Sequence, residues 1–247
     1  MRNLRSTAVV GRLGIALLLG VLVATACPAV WADPAAPTSK DRNIALTFAA
    51  LLHREHLTRH PYDKEIYHRT VTQFVKMLDP NKVYFYQSDI DGFYARQAEV
   101  EKVSRNGDVN FAHQMFQVFL ARVDERVKTV DQLLAMPLDF NADEHYVVDR
   151  DSLQFARNEA EAFNLWRQRI KYDLLVLKAD GLEEEKKKAA KGEAKGDGKT
   201  PAADEAVADE STNDPVEKIR RRYHTFAKRM HQVDSEELLE MYLTAMS

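Results

Sequence analysis

Histidines open the list of residues whose type and spacing could carry chemistry. His53, His56 and His60 stand at i, i+3 and i+7, a spacing that shares one face of a helix, with His68 close in sequence. Two helical imidazoles plus a third make a zinc or copper triad. The His-Glu-x-x-His spacing is absent, and Arg54 and Arg59 add positive charge where a metal would be bound. The polar face of an amphipathic helix accounts for these histidines, and no metal is assigned to them.

Carboxylates come next. Asp143, Glu144, Asp149 and Asp151 form the densest acidic cluster outside the helical patterns. Acid–base pairs and calcium loops both need such oxygens. The glycine on which a calcium loop turns is missing, and no nucleophile accompanies the acids, so solvation and helix capping explain them. Lys218, Arg220, Arg221, Arg222, Lys228 and Arg229 make a basic face with Tyr223 and Phe226 interleaved. That pattern suits phosphate or anionic lipid. Yet the two aromatics fall on the apolar stripe of the same segment, and neighbouring acids offset the charge, so no nucleic-acid partner is expected. Gly-x-Ser-x-Gly, phosphate-loop and dinucleotide-loop motifs are absent. Ser39-Lys40 is the only serine directly followed by lysine and is no catalytic dyad. No catalytic, cofactor-binding or metal-binding residue is assigned.

The elements that would position these groups are read from composition and periodicity. The chain has 247 residues, 35 Lys+Arg against 38 Asp+Glu, and 1 Cys. That length can bury a core, and one cysteine excludes an internal disulfide framework. Residues 1–32 read as an export signal: Arg2, Arg5 and Arg12 precede the apolar run Leu13–Ala26, with Val30 and Ala32 before a cut at Asp33. Its removal takes the net charge from −3 to about −6, since three arginines and no acid leave with it. The expected location is the periplasm. Ala24-Thr25-Ala26-Cys27 is a loose lipoprotein site, and a membrane contact is expected only if Cys27 is acylated.

Residues 33–40 read as a tether. Ile44, Phe48, Leu51 and Leu52 predict a helix over 41–59, and Tyr67, Val71, Phe74, Val75 and Leu78 a second, capped by Asp63 and stopped at Asp79-Pro80. Ser88 with Asp91 predicts a capping box for a third helix that Asn106-Gly107 ends. Phe111 to Leu134 carries a long amphipathic helix. Leu138, Phe140, Tyr146, Val147 and Val148 suggest short extended pieces around 137–150. Phe163, Trp166, Ile170, Leu174 and Leu177 form an a/d-like seam, closed at Gly181. Residues 181–214 are charged and low in complexity, expected to be a disordered insertion that the Glu-Lys block shortens by a helical turn or two. Val216, Ile219, Tyr223, Phe226 and Met230 give another helix, and Leu238, Leu239, Tyr242 and Met246 a last one. The expected class is mainly all-α, one multi-helix domain over 41–180 continued in 215–247. Phe226, Met230, Leu239, Tyr242 and Met246 are expected to face a neighbour not encoded here.

Several segments together resemble the N-terminal domain of the tail-specific proteases, a branch of the carboxyl-terminal processing peptidases. They are Leu78 to Phe85 (Leu-Asp-Pro-Asn-Lys-Val-Tyr-Phe) followed by Gln87 to Asp91 and Phe93; Pro137 to Phe140 with Tyr146 and Asp149-Arg150; Glu159 to Glu161, Leu165-Trp166 and Lys171 to Leu175; and Arg221 to Tyr223, Ser235-Glu236 and Met241-Tyr242. Two features depart from that pattern: the long 181–214 stretch, and Ser152 to Phe155 where Ala-Pro-Trp is common. The resemblance implies a helical scaffold that precedes a PDZ domain and a serine/lysine catalytic core. Neither has matching residues in this sequence, which on that reading is truncated and inactive alone. The implied partners are its own protease core, substrates or adaptor proteins, with no cofactor. The alternative is a free-standing periplasmic adaptor module.

Overall fold

The apolar spacings become eight α-helices and a 3-10 turn in the computed structural model, which describes residues 36–55, 63–149, 153–193 and 214–247. The helices are α1 (Ser39–Glu55), α2 (Lys64–Leu78), α3 (Gln87–Ala95), α4 (Glu101–Asn106), α5 (Asn110–Ala135), α6 (Glu159–Glu193), α7 (Pro215–Met230) and α8 (Ser235–Met246). Gln97–Val100 is the 3-10 turn between α3 and α4. The described residues contain no strand, only an isolated parallel bridge between Tyr86 and Ala156, so the mainly all-α expectation holds. The short extended pieces expected around 137–150 do not pair into a sheet. Residues 137–149 instead run as irregular chain across α6.

Local chemistry sets several boundaries. The Asp63 carboxylate accepts from the N–H groups of Glu65 and Ile66 and starts α2. Asp214, followed by Pro215 at the first helical position, does the same for α7, and Asp234 for α8. The predicted capping box sits two residues too late. Tyr86 is the N-cap of α3, and its N–H donates to the Asp89 carboxylate at 2.9 Å. The single helix expected up to Gly107 is broken into α3, the 3-10 turn and α4. Gly107 ends α4 in the left-handed region, φ 70°.

Other boundaries differ from the sequence reading. The tether expected through Lys40 is already helical at Ser39. Asp41, 3% exposed, accepts from Thr38 N (2.7 Å), Thr38 Oγ1 (2.9 Å) and, across the fold, Ser235 Oγ on α8 (2.9 Å). Ala45 and Ala49 form the buried edge of α1, whereas Leu51 of the predicted stripe is exposed. Gly181 does not close α6, which continues to Glu193, because one glycine costs about 1 kcal/mol and the Glu-Lys block after it favours helix. The rest of the expected insertion, residues 194–213, lies outside the described residues.

The core is organised around α5, which packs on α6, α7 and α8, while α2 packs on α8 and α1 joins α4 and α8. Val71, Phe74, Phe116, Trp166, Ile170, Ile219, Leu238 and Tyr242 are fully buried. Phe74 meets Tyr242 edge-on at 5.1 Å. Thus Leu239, Tyr242 and Met246 are core residues of this chain, contrary to the expectation that they face an absent neighbour. Phe226 and Met230 remain half-exposed.

Candidate functional site

The histidine face falls largely outside the described residues: His56 and His60 are not among them, nor is the side chain of His53. His68 stacks on Tyr94, ring centroids 4.7 Å apart. Among the described residues no group of His, Cys, Asp and Glu could hold a metal ion.

One member of the acidic cluster serves architecture. Glu144 receives Arg167 at 2.6 and 3.0 Å and Lys171 at 2.9 Å, tying the 137–149 segment to α6. Those two cations hold its carboxyl down at about 2. Asp151 lies outside the described residues. Part of the basic face is paired: Arg220 with Glu217 on the same helix and Asp131 on α5, and Arg222 with Asp173 on α6, while His224 touches Asp131 at 3.0 Å. Tyr223 is core, as its place on the stripe implied.

The arrangement that sequence reasoning passed over begins at Asp79. This residue ends α2 and is 1% exposed. Its carboxylate accepts from Val83 N (3.0 Å), Tyr84 N (2.8 Å) and Phe85 N (3.1 Å). Burial raises its carboxyl above the ordinary range, against the pull of those donors and of Arg169. The turn so formed is clamped from α6 and the segment before it. Trp166 Nε1 donates to Val83 O at 2.8 Å, Lys82 Nζ to Leu153 O at 2.8 Å and Gln87 N to Ala156 O at 2.9 Å. The signal present in the sequence was an acid directly after an apolar stripe and before proline. It reads as a helix stop and conceals the loop it organises.

Held in this way, Tyr84 stacks on Phe226 (5.5 Å) and meets Trp166 (5.5 Å) and Phe119 (5.6 Å) edge-on. Burial pushes its phenol well above the ordinary range. Beside it opens a groove of about 490 Å³ between the end of α2, α6, α7 and α8, with Met77, Phe226, Met230 and Met241 on its walls and Arg169 and Asp173 at one side. Arg169 Nε donates to Tyr223 Oη at 2.9 Å, and Tyr223 Oη donates to Asp173 at 2.9 Å. Such an apolar groove with few polar groups can bind a small ligand or side chains, but presents no paired nucleophile and base.

A family profile described as the tail specific protease N-terminal domain matches residues 48–247. The tail-specific protease of Haemophilus influenzae is 23% identical over 195 residues, 78% of this chain and 24% of that protein. The chain thus spans about a quarter of the length of the curated relative it matches. The match runs from α1 to the end of α8 and takes in the Asp79 turn, the Trp166 clamp and the α7–α8 pair. By that span of sequence, this chain belongs to the tail-specific protease N-terminal domain family.

Proposed function

We propose that this chain is the helical scaffold of an exported serine endopeptidase that processes proteins from their C-terminal tails, and that it is inactive by itself. The observation that carries this reading is the family match over 48–247. The basic n-region, apolar run and small residues of 1–32 support export. Inactivity alone is supported by the use of the polar clusters: the carboxylates of Asp41, Asp79 and Glu144 are all engaged in holding elements together.

A docking role for protein partners rests on the outer face of α6. Tyr172, Leu175, Val176 and Leu182 are 39, 45, 39 and 58% exposed and share one side of the helix. Tyr146 lies against Tyr172 at 5.3 Å, and the two residues after it, Val147 and Val148, are exposed. An exposed apolar helix face of this kind marks a protein contact. The test supplies this chain in trans to a tail-specific protease core made without its helical domain. Cleavage of a C-terminally tailed substrate is expected only when both are present, and the Leu175→Glu, Val176→Glu double variant should fail to restore it. Cleavage by the chain alone would overturn the scaffold reading, and full rescue by the double variant would remove the docking role.

A further inference from the structure

The groove beside Tyr84 contains a cation, Arg169, that makes no direct ion pair among the described residues. Arg169 is always cationic, and a cation taken largely out of water is normally paired. Its one hydrogen bond among the described residues goes from Nε to the Tyr223 hydroxyl, and its guanidinium lies 5.4 Å from the Trp166 ring. Phenols and an indole surround it. Two of the carboxylates on the groove are committed: Asp173, one turn along α6, is held by Arg222 and Tyr223, and Asp79 accepts three backbone N–H groups. The groove wall includes Met77, Phe226, Met230 and Met241, three of them unbranched thioethers that fit an extended chain, with Arg222 and Glu237 also on its lining.

We propose that this groove is a binding site for a linear aliphatic carboxylate, its chain against the methionines and Phe226 and its single negative charge on Arg169. Asp173 at the same side disfavours a dianion, which selects carboxylate over phosphate. A planar guanidinium presents two parallel N–H groups to a carboxylate, and the surrounding rings keep that contact partly dry. The volume of about 490 Å³ lies within the range of small-ligand sites.

Calorimetric titration of the purified chain with decanoate below its micelle concentration, beside decan-1-ol and decyltrimethylammonium, tests the assignment. Decanoate is expected to bind at least about tenfold more tightly than either, a difference that charge pairing readily supplies. Arg169→Gln should abolish the preference. Met230→Asp, which places an acid at the groove wall and leaves the arginine intact, should weaken decanoate by a similar factor and keeps the test open if Arg169→Gln unfolds. Absence of saturable binding, equal binding of the three amphiphiles, or indifference to both substitutions would each refute the site. An apolar heptapeptide with a free C-terminus and its amide form the last arm. Tighter binding of the free-acid peptide than of decanoate would overturn the aliphatic assignment and give the groove to a chain end.

Discussion

Removing the Asp79 carboxylate tests whether one buried acid organises the turn on which the groove depends. Its two oxygens satisfy three N–H groups, Oδ1 that of Val83 and Oδ2 those of Tyr84 and Phe85. Asp79→Ala leaves all three donors without this acceptor, and each orphaned buried donor costs roughly 1–3 kcal/mol. A loss of at least about 3 kcal/mol follows, which for a domain of this size lowers Tm by at least about 6–12 °C. Asp79→Asn separates charge from shape. The amide oxygen can keep Tyr84 and Phe85, but the amide NH2 then confronts the Val83 N–H. One lost charge-assisted bond costs about 1.5–3 kcal/mol, partly offset because a neutral amide is cheaper to bury than a carboxylate. The expected order of stability is therefore wild type, Asn, then Ala. Thermal unfolding followed by circular dichroism at the helical minimum measures it. An Ala variant melting within about 2 °C of wild type would show that water or an alternative acceptor replaces the carboxylate, and the turn would owe its shape to the Trp166 clamp instead.

Three further outcomes are expected. A Cβ added at Gly107 would meet Arg42 O at 2.5 Å and Leu46 Cγ at 3.0 Å, at a left-handed φ, so Gly107→Ala should cost about 2 kcal/mol or more by denaturant titration, whereas Gly92→Ala in α3 meets nothing within 4 Å and should gain about 0.5–1 kcal/mol. Trp166→Phe deletes the bond to Val83 O and leaves a void at a fully buried position; a loss of about 2–4 kcal/mol is expected in the same titration, and a neutral result would dispose of the clamp. His113, buried beside Asp41, has its pKa lowered by burial from the ordinary 6.5, Asp41 pulling the other way. The unfolded chain therefore takes up that proton first as the solution is acidified. The stability due to neutral His113 is complete above about pH 6.5 and is lost as pH falls through the window below it. His113→Leu should lose less Tm than wild type between about pH 7.5 and 5.5, and equal losses would count against this assignment.

Much of the helical content was legible because a helix is a local object. Tyr67, Val71, Phe74, Val75 and Leu78 needed only the 3.6-residue repeat to be placed on one buried face. Asp63 could be read as a cap because the groups it satisfies lie two and three residues away. The α3 start was misplaced because Ser88 and Asp89 are both plausible capping residues, and the choice of Tyr86 as N-cap depends on its bridge to Ala156, a residue distant in sequence. Gly181 was read as a stop because a glycine after an apolar seam usually is one. In α6 its helix penalty is smaller than the propensity summed over its neighbours.

The groove was hidden for a different reason. Arg167 and Arg169 look alike in the sequence, two arginines on one helix. Two positions apart on a helix they point to opposite sides: Arg167 reaches Glu144, while Arg169 is turned in among Trp166, Tyr84 and Tyr223. Phe226 and Met230 share a stripe with Ile219 and Tyr223, yet only the latter two are buried. The sequence alone decided the class of the fold, its family and some helix ends, such as Asp63 and Gly107, since these rest on spacing within a few residues. Tertiary packing decided which apolar residues became core and which became groove wall. It also gave the acids structural tasks, because Trp166 and Val83, or Asp41 and Ser235, are brought together across long stretches of chain by complementary surfaces that no local pattern encodes.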